Sequence, residues 1–167
     1  MTGRFFNKKG GIPDLIYILV VFVIVAIVTV VSWKIYKLLD DNVQGSNLYS
    51  AEGKAISSNL RTRFVSVNDN AFLIIFVGLI IAVVAGAWFI IVHPALYWVS
   101  IPILAFIIFL SAIYANVFNN FATSVFSSEI ADFPIISFVM QNYVYFFTFI
   151  VMIVAIALFA KSRSEAI

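Results

Sequence analysis

Two apolar runs without a single charge, Ala71–Val92 and Ala95–Phe118, stand almost back to back, with only His93-Pro94 between them. Each is just over 20 residues long. As a helix rising ~1.5 Å per residue, such a run spans roughly 30–36 Å, the thickness of a bilayer hydrocarbon core. Two intervening residues leave room for little more than a tight reversal at a membrane surface. The stretch from Asp69 to Asn120 therefore reads as a transmembrane helical hairpin, and the rest of the chain has to be compatible with it.

Composition agrees with that reading. The chain is 63% hydrophobic and 11% charged, whereas soluble domains are about 45–50% apolar and about 25% charged. Eighteen Phe and seven Tyr suit a lipid-facing surface with aromatic side chains at the interfaces. A net charge of +2, dispersed along the chain, does not point to direct nucleic-acid binding. The absence of cysteine excludes disulfides and thiolate metal sites and leaves the redox compartment unmarked.

Before the hairpin, Arg4, Lys8 and Lys9 lead into Pro13-Asp14 and the apolar run Leu15–Trp33. Proline suits a first helical position, and Asp14 complements the positive end of the helix dipole. The run is rich in Val and Ile, but an isolated strand would leave its backbone unsatisfied in lipid, so a helix is expected. No small-x-small cleavage site follows it, which favours an uncleaved anchor over a signal peptide. Lys34 and Lys37 should snorkel as the helix leaves the bilayer, with Trp33 beside them as an interfacial anchor.

Residues 45–70 are the one substantial polar segment. Leu48, Ile56, Leu60 and Phe64 recur near helical spacing among Lys54, Arg61 and Arg63. This fits a short amphipathic helix on a membrane or a partner, or else a solvated loop with local turns. Asn68-Asp69-Asn70 should cap the second span. Within that span Gly78, Ala82 and Gly86 form a stripe of small residues that lets another helix approach closely. Packing against the third or fourth span is the expected use, and an oligomer seam the alternative.

The third span opens with the interfacial pair Tyr97 and Trp98, carries Pro102 in its first turns, and ends on Asn116, Asn119 and Asn120. A weakly acidic connection with Glu129 and Asp132 follows, then Pro134 and a last span over Tyr143–Ala160 stopped by Lys161 and Arg163, two further interfacial anchors. The expected class is thus an all-α integral membrane protein of about four transmembrane helices, including a tight central helical hairpin. Its parts are residues 1–44 (basic start, first span and its extension), 45–70 (polar loop), 71–118 (hairpin) and 119–167 (connection, last span and basic tail). Four spans put both termini on one side, where five basic residues face five in the first loop. That tie leaves orientation open under the positive-inside rule, with a slight lean to termini in the cytosol.

Chemistry is sparse. His93 is the lone histidine, so no histidine cluster for a metal exists. It stands in a turn where an interfacial polar residue is expected. Glu129 and Asp132 could share a helical face, but a solvated connection is the simpler account. No ionisable residue falls in the middle of a run, which counts against transporters and proton channels. Phosphate loops, nucleophile elbows and metalloprotease motifs are missing. No catalytic residue, cofactor or metal is expected, and the protein is not expected to be an enzyme.

The order Asn68-Asp-Asn-Ala-Phe-Leu-Ile-Ile-Phe-Val-Gly78, His93-Pro94, Ala115-Asn116-Val-Phe-Asn-Asn-Phe-Ala122 and Ala131-Asp-Phe-Pro134 resembles small membrane proteins of tailless icosahedral viruses and phages that carry an internal lipid bilayer. The resemblance covers roughly residues 68–160. It implies a structural role linking bilayer to capsid, with other membrane or capsid proteins as partners in a multi-protein assembly or homo-oligomer, and it brings no catalytic residues. Lys54, Arg61, Arg63, Glu129 and Asp132 are then the candidate partner contacts. The alternatives are a small oligomeric pore of holin type and an accessory subunit of a larger membrane complex.

Overall fold

The computed structural model describes residues 12–89, 94–124 and 126–164, with side chains for 16–87, 98–124 and 126–160. All its regular structure is helical: α1 (Ile12–Gly45), α2 (Ala51–Phe89), α3 (Pro94–Thr123), α4 (Ser127–Ile130), α5 (Pro134–Gln141) and α6 (Tyr143–Ser164). Four of these helices, α1, α2, α3 and α6, are long and apolar enough to cross a membrane. Each turns large apolar side chains outward, among them Ile24 and Val28, Ile74 and Ile81, Phe106 and Phe109, and Phe149 and Ile156. In water these would form an apolar belt far larger than soluble monomers expose. In a bilayer they face acyl chains, and the all-α four-span class expected from the sequence is the class observed.

α1 and α2 are longer than a span requires. Their 34 and 39 residues correspond to roughly 51 and 58 Å at ~1.5 Å per residue, against a hydrocarbon core of about 30 Å. The excess lies at one end, where the two helices are joined by residues 46–50 and continue as an antiparallel stalk. The loop-or-helix ambiguity over residues 45–70 is resolved as helix over 51–70, continuous with the second span rather than separate from it, with residues 46–50 as the turn. The helix therefore starts at Ser50, whose Oγ accepts the Gly53 N–H at 3.2 Å, an ordinary serine N-cap. The expected cap at Asn68–Asn70 is corrected accordingly: those residues lie inside α2, where Asn68 and Asn70 donate back to the carbonyls of Phe64 and Ser66.

In the bundle α1 packs on α2 and α3, while α6 packs on α3 and α2. The cyclic order is α1, α2, α6, α3, which sets α2 and α3 diagonally. The hairpin around His93-Pro94 is thus one of chain direction. Among the described residues its two arms pack chiefly on α1 and α6, and residues 90–93 themselves lie outside the described part. Leu19, Phe22, Val23, Ala26, Val30 and Trp33 line the buried face of α1, at the three- and four-residue spacing of one helical face. They meet Phe72 and Phe76 of α2, Leu104 and Ile107 of α3, and Tyr143, Phe147, Ile150 and Val154 of α6. Phe22 is central, with ring centroids 4.4 Å from Phe72 and 5.0 Å from Phe76. Tyr143, fully buried, donates its hydroxyl to the Leu19 carbonyl at 2.7 Å, so its one polar atom is satisfied in the core.

The small-residue stripe is placed differently from expectation. Gly78, Ala82 and Gly86 are exposed, and a Cβ added at Gly78 or Gly86 would meet nothing within 4 Å. Packing of this stripe against the third or fourth span of the same chain is therefore corrected: the large residues on the other faces of α2, Phe72 and Phe76, make the inward contacts, and the small ones point away from the bundle.

Candidate functional site

Among the residues whose side chains are described, the charged ones gather at the end of the bundle that carries the stalk. In the stalk Asp40 is 2% exposed although it is a carboxylate, and its surroundings explain how it is tolerated. It accepts from Ser57 Oγ at 2.6 Å, from Arg61 Nη1 at 2.9 Å and from Gln44 Nε2 at 3.2 Å. Arg61 Nη1 also reaches Asp41 at 3.2 Å. Further along, Lys54 Nζ donates to the Gln44 carbonyl at 2.9 Å while Gln44 Nε2 donates to the Lys54 carbonyl at 2.9 Å. Buried charges are tolerated when paired and fully hydrogen-bonded, and this set fastens α1 to α2 where no bilayer holds them.

At the base of the stalk the rings of Trp33, Tyr36 and Phe64 stack at 5.4–6.0 Å, with Phe133 edge-on to Trp33 at 6.1 Å. Tyr36 donates its hydroxyl to the Ser57 carbonyl at 3.1 Å. Asp132, in the turn between α4 and α5, closes the arrangement. One of its oxygens accepts both Lys37 Nζ at 2.6 Å and Trp33 Nε1 at 2.7 Å. Partial burial would raise the Asp132 pKa, but the hydrogen bonds from Lys37 and Trp33 and the charge of Lys37 outweigh it and hold the carboxyl below its usual range. Lys34 lies over the Phe126 ring at 4.7 Å, a cation–π contact that ties α1 to the same connection.

The second fastening is Asp69. Its two carboxylate oxygens accept the backbone N–H groups of Ile135 and Ile136 at 2.9 and 2.8 Å. These are the second and third residues of α5, whose preceding residue, Phe133, has no side chain able to cap. A carboxylate on a neighbouring helix thus takes the place of the local N-cap, where negative charge also suits the helix dipole. The sequence held a signal for this, a helix opened by Phe133-Pro134 without a capping residue, but nothing near α5 named Asp69 as the partner.

The roles expected of individual residues change accordingly. Trp33 and Lys37, expected as interfacial anchors, are spent on Asp132, and Trp33 is only 2% exposed. Lys54, Arg61 and Asp132, expected as partner contacts, bind within the chain. Glu129, expected in a solvated connection, is buried and accepts from Ser128 Oγ at 3.0 Å. These corrections share a cause: one end of the bundle brings α1, α2 and the α4–α5 connection together, so oppositely charged residues find each other first. Arg63 remains exposed, with Glu52 and Asp41 exposed on the same stalk. Leu48 and Tyr49 stand at its tip, Leu48 93% exposed. Trp98 is exposed at the start of α3. The side chains of Tyr97, Lys161 and Arg163, and all of His93, lie outside the described residues.

The last two turns of α3 and the inner side of α5 also enclose an open cleft of about 340 Å³ lined by Asn116, Asn119, Ser137 and Gln141 over Phe118 and Met140. Among the described residues no group of three or more His, Cys, Asp or Glu side chains is placed to hold a metal ion. The stalk is a projection braced by charge pairs and hydrogen bonds between α1 and α2. Compared with known protein families, with curated proteins and with solved structures, the chain matches none.

Proposed function

We propose that this is a structural, non-catalytic membrane protein that anchors in a bilayer by four helices and presents the α1–α2 stalk to other proteins at one membrane face. The observation that carries the reading is the stalk itself. A loop would have sufficed to join two spans, whereas here residues 34–45 of α1 and 51–70 of α2 continue past the apolar runs as helix and are joined by Asp40, Arg61 and Ser57. Ordering that many residues costs conformational entropy of about 1–2 kcal/mol each, and the buried polar contacts and ring stack offset it. A projection held in one shape suits a fixed contact better than a transient one.

The setting we infer is a virion whose icosahedral shell encloses a lipid bilayer, with the stalk facing the shell. The order of short segments over residues 68–160 supports it. The partners are then other membrane or capsid proteins, and the chain occupies the viral membrane and the host membrane in which it is made. An accessory subunit of a cellular membrane complex would use the same stalk. A pore of holin type would need several copies, because the axis of the single bundle is filled by Phe22, Phe76, Tyr143, Phe147 and Ile150.

Two measurements test the reading. Mass spectrometry of gradient-purified particles should find the chain in the virion, and its presence in infected-cell membranes but not in particles overturns the viral setting. A photo-crosslinking residue at Leu48 or Tyr49 should capture one shell protein in those particles. Crosslinks to lipid alone would overturn the role of the stalk.

A further inference from the structure

The cleft between α3 and α5 is independent of the stalk, and its chemistry is specific. Its rim carries three carboxamides, Asn116, Asn119 and Gln141, and the Ser137 hydroxyl. Gln141 Nε2 donates to Ser137 Oγ at 3.0 Å, which leaves the Gln141 carbonyl to accept and the Ser137 hydroxyl to donate. Asn116 and Asn119 make no side-chain hydrogen bond among the described residues. Each carboxamide offers a donor and an acceptor side by side, the pattern that matches adjacent hydroxyls. None of the lining residues is charged, so a phosphate or carboxylate would meet no cation, and a cation no carboxylate. The floor is apolar, built from the buried Phe118 and Met140. A volume of about 340 Å³ lies at the lower end of the roughly 300–1,000 Å³ typical of small-molecule sites.

Position selects the source of the ligand. The cleft lies where the apolar run of α3 ends, at the depth of lipid headgroups. The same helix exposes Ile113 and Val117, an apolar surface on which acyl chains can lie. We propose that the cleft binds the uncharged, hydroxyl-rich headgroup of a membrane glycolipid, with the carboxamides reading the hydroxyls and the acyl chains lying along α3.

The full chain is tested in nanodiscs holding equal amounts of monoglucosyldiacylglycerol and phosphatidylcholine with the same acyl chains, and the lipid it retains is read by native mass spectrometry. The wild-type chain should retain the glycolipid in about tenfold preference, the equivalent of one or two net hydrogen bonds. The paired change Asn119→Leu and Gln141→Leu should erase the preference. Asn120→Leu, exposed on the same helix but outside the cleft, should keep it. Equal retention of both lipids by the wild-type chain overturns the proposal, and this measurement needs no variant to fold. A preference that survives the paired change also overturns it. Displacement by millimolar methyl glucoside would overturn the lipid assignment in favour of a soluble sugar.

Discussion

The Asp69 carboxylate on α2 accepts the backbone N–H of Ile136 on α5 at 2.8 Å, across 67 positions of chain. With the companion bond to Ile135 it makes the start of α5 depend on a residue of another helix. Asp69→Ala would leave two N–H groups without their partner, one of them buried, at a cost of about 1–3 kcal/mol for such a group. The midpoint of thermal unfolding in detergent should fall, and the amides of Ile135 and Ile136 should lose hydrogen-exchange protection before those of α6. Asp69→Asn, which keeps one acceptor, should fall between. Unchanged protection at Ile136 in Asp69→Ala would remove the cap from the account.

The Asp132 bracket predicts an acid limb. Its carboxyl is held below the usual range in the folded chain, so the unfolded state binds the proton more readily. The stabilisation is then complete at neutral pH, down to about the unfolded carboxylate value of ~3.9, and is lost as pH falls through the lower folded value. The side chain of Asp132 is 37% exposed, so solvent screening keeps the effect small. Asp132→Asn should reduce the steepness of the loss of stability below about pH 4. Fluorescence of Trp33, read in a chain whose other two tryptophans are Phe, should shift with the same change.

Arg61 holds a nearly inaccessible carboxylate. Arg61→Met removes the cation paired with Asp40 and leaves the carboxylate its bonds from Ser57 and Gln44. Hydrogen bonds to charged groups are worth about 1.5–3 kcal/mol, and because Arg61 is 38% exposed the lower half of that range is expected. Asp40→Asn together with Arg61→Met should recover part of the loss, since the uncompensated charge is gone. A double-mutant cycle on unfolding midpoints measures this, and strict additivity would show that the pair is not coupled.

Gly78→Ala and Gly86→Ala should leave the folded chain intact and at most stabilise it, by about 0.5–1 kcal/mol per site through helix propensity. There is open space at both positions. A marked loss of stability in the monomer would place a helix of the same chain against them.

Single cysteines give a clean topology test because the chain has none of its own. Cysteines at Leu48 and Asn120 should react with an impermeant maleimide from the same side of the membrane. One at His93 should react from the opposite side. Labelling of His93 and Asn120 from one side would break the reading of α3 as a full span.

By itself the sequence determined the class of structure. Uncharged runs of bilayer length have one way to satisfy their backbone in lipid, and that physics is local, so helices α1, α2, α3 and α6 were legible without any tertiary contact. The same runs hid their partners. They are apolar all round, so periodicity does not separate the face of α1 carrying Phe22 and Val30 from the face carrying Ile24 and Val28. Which face turns inward was decided by packing alone, and so was the outward turn of Gly78 and Gly86. The polar residues were legible as polar but not as pairs. Asp69 read as a local cap, Trp33 and Lys37 as anchors, and Arg61 and Asp132 as open contacts, because hydrogen bonds between helices depend on distances that only the folded chain sets. Tertiary structure brought Asp40, Asp69 and Asp132 to one end of the bundle and gave each its partner, since a carboxylate leaving water there is stable only where donors already converge.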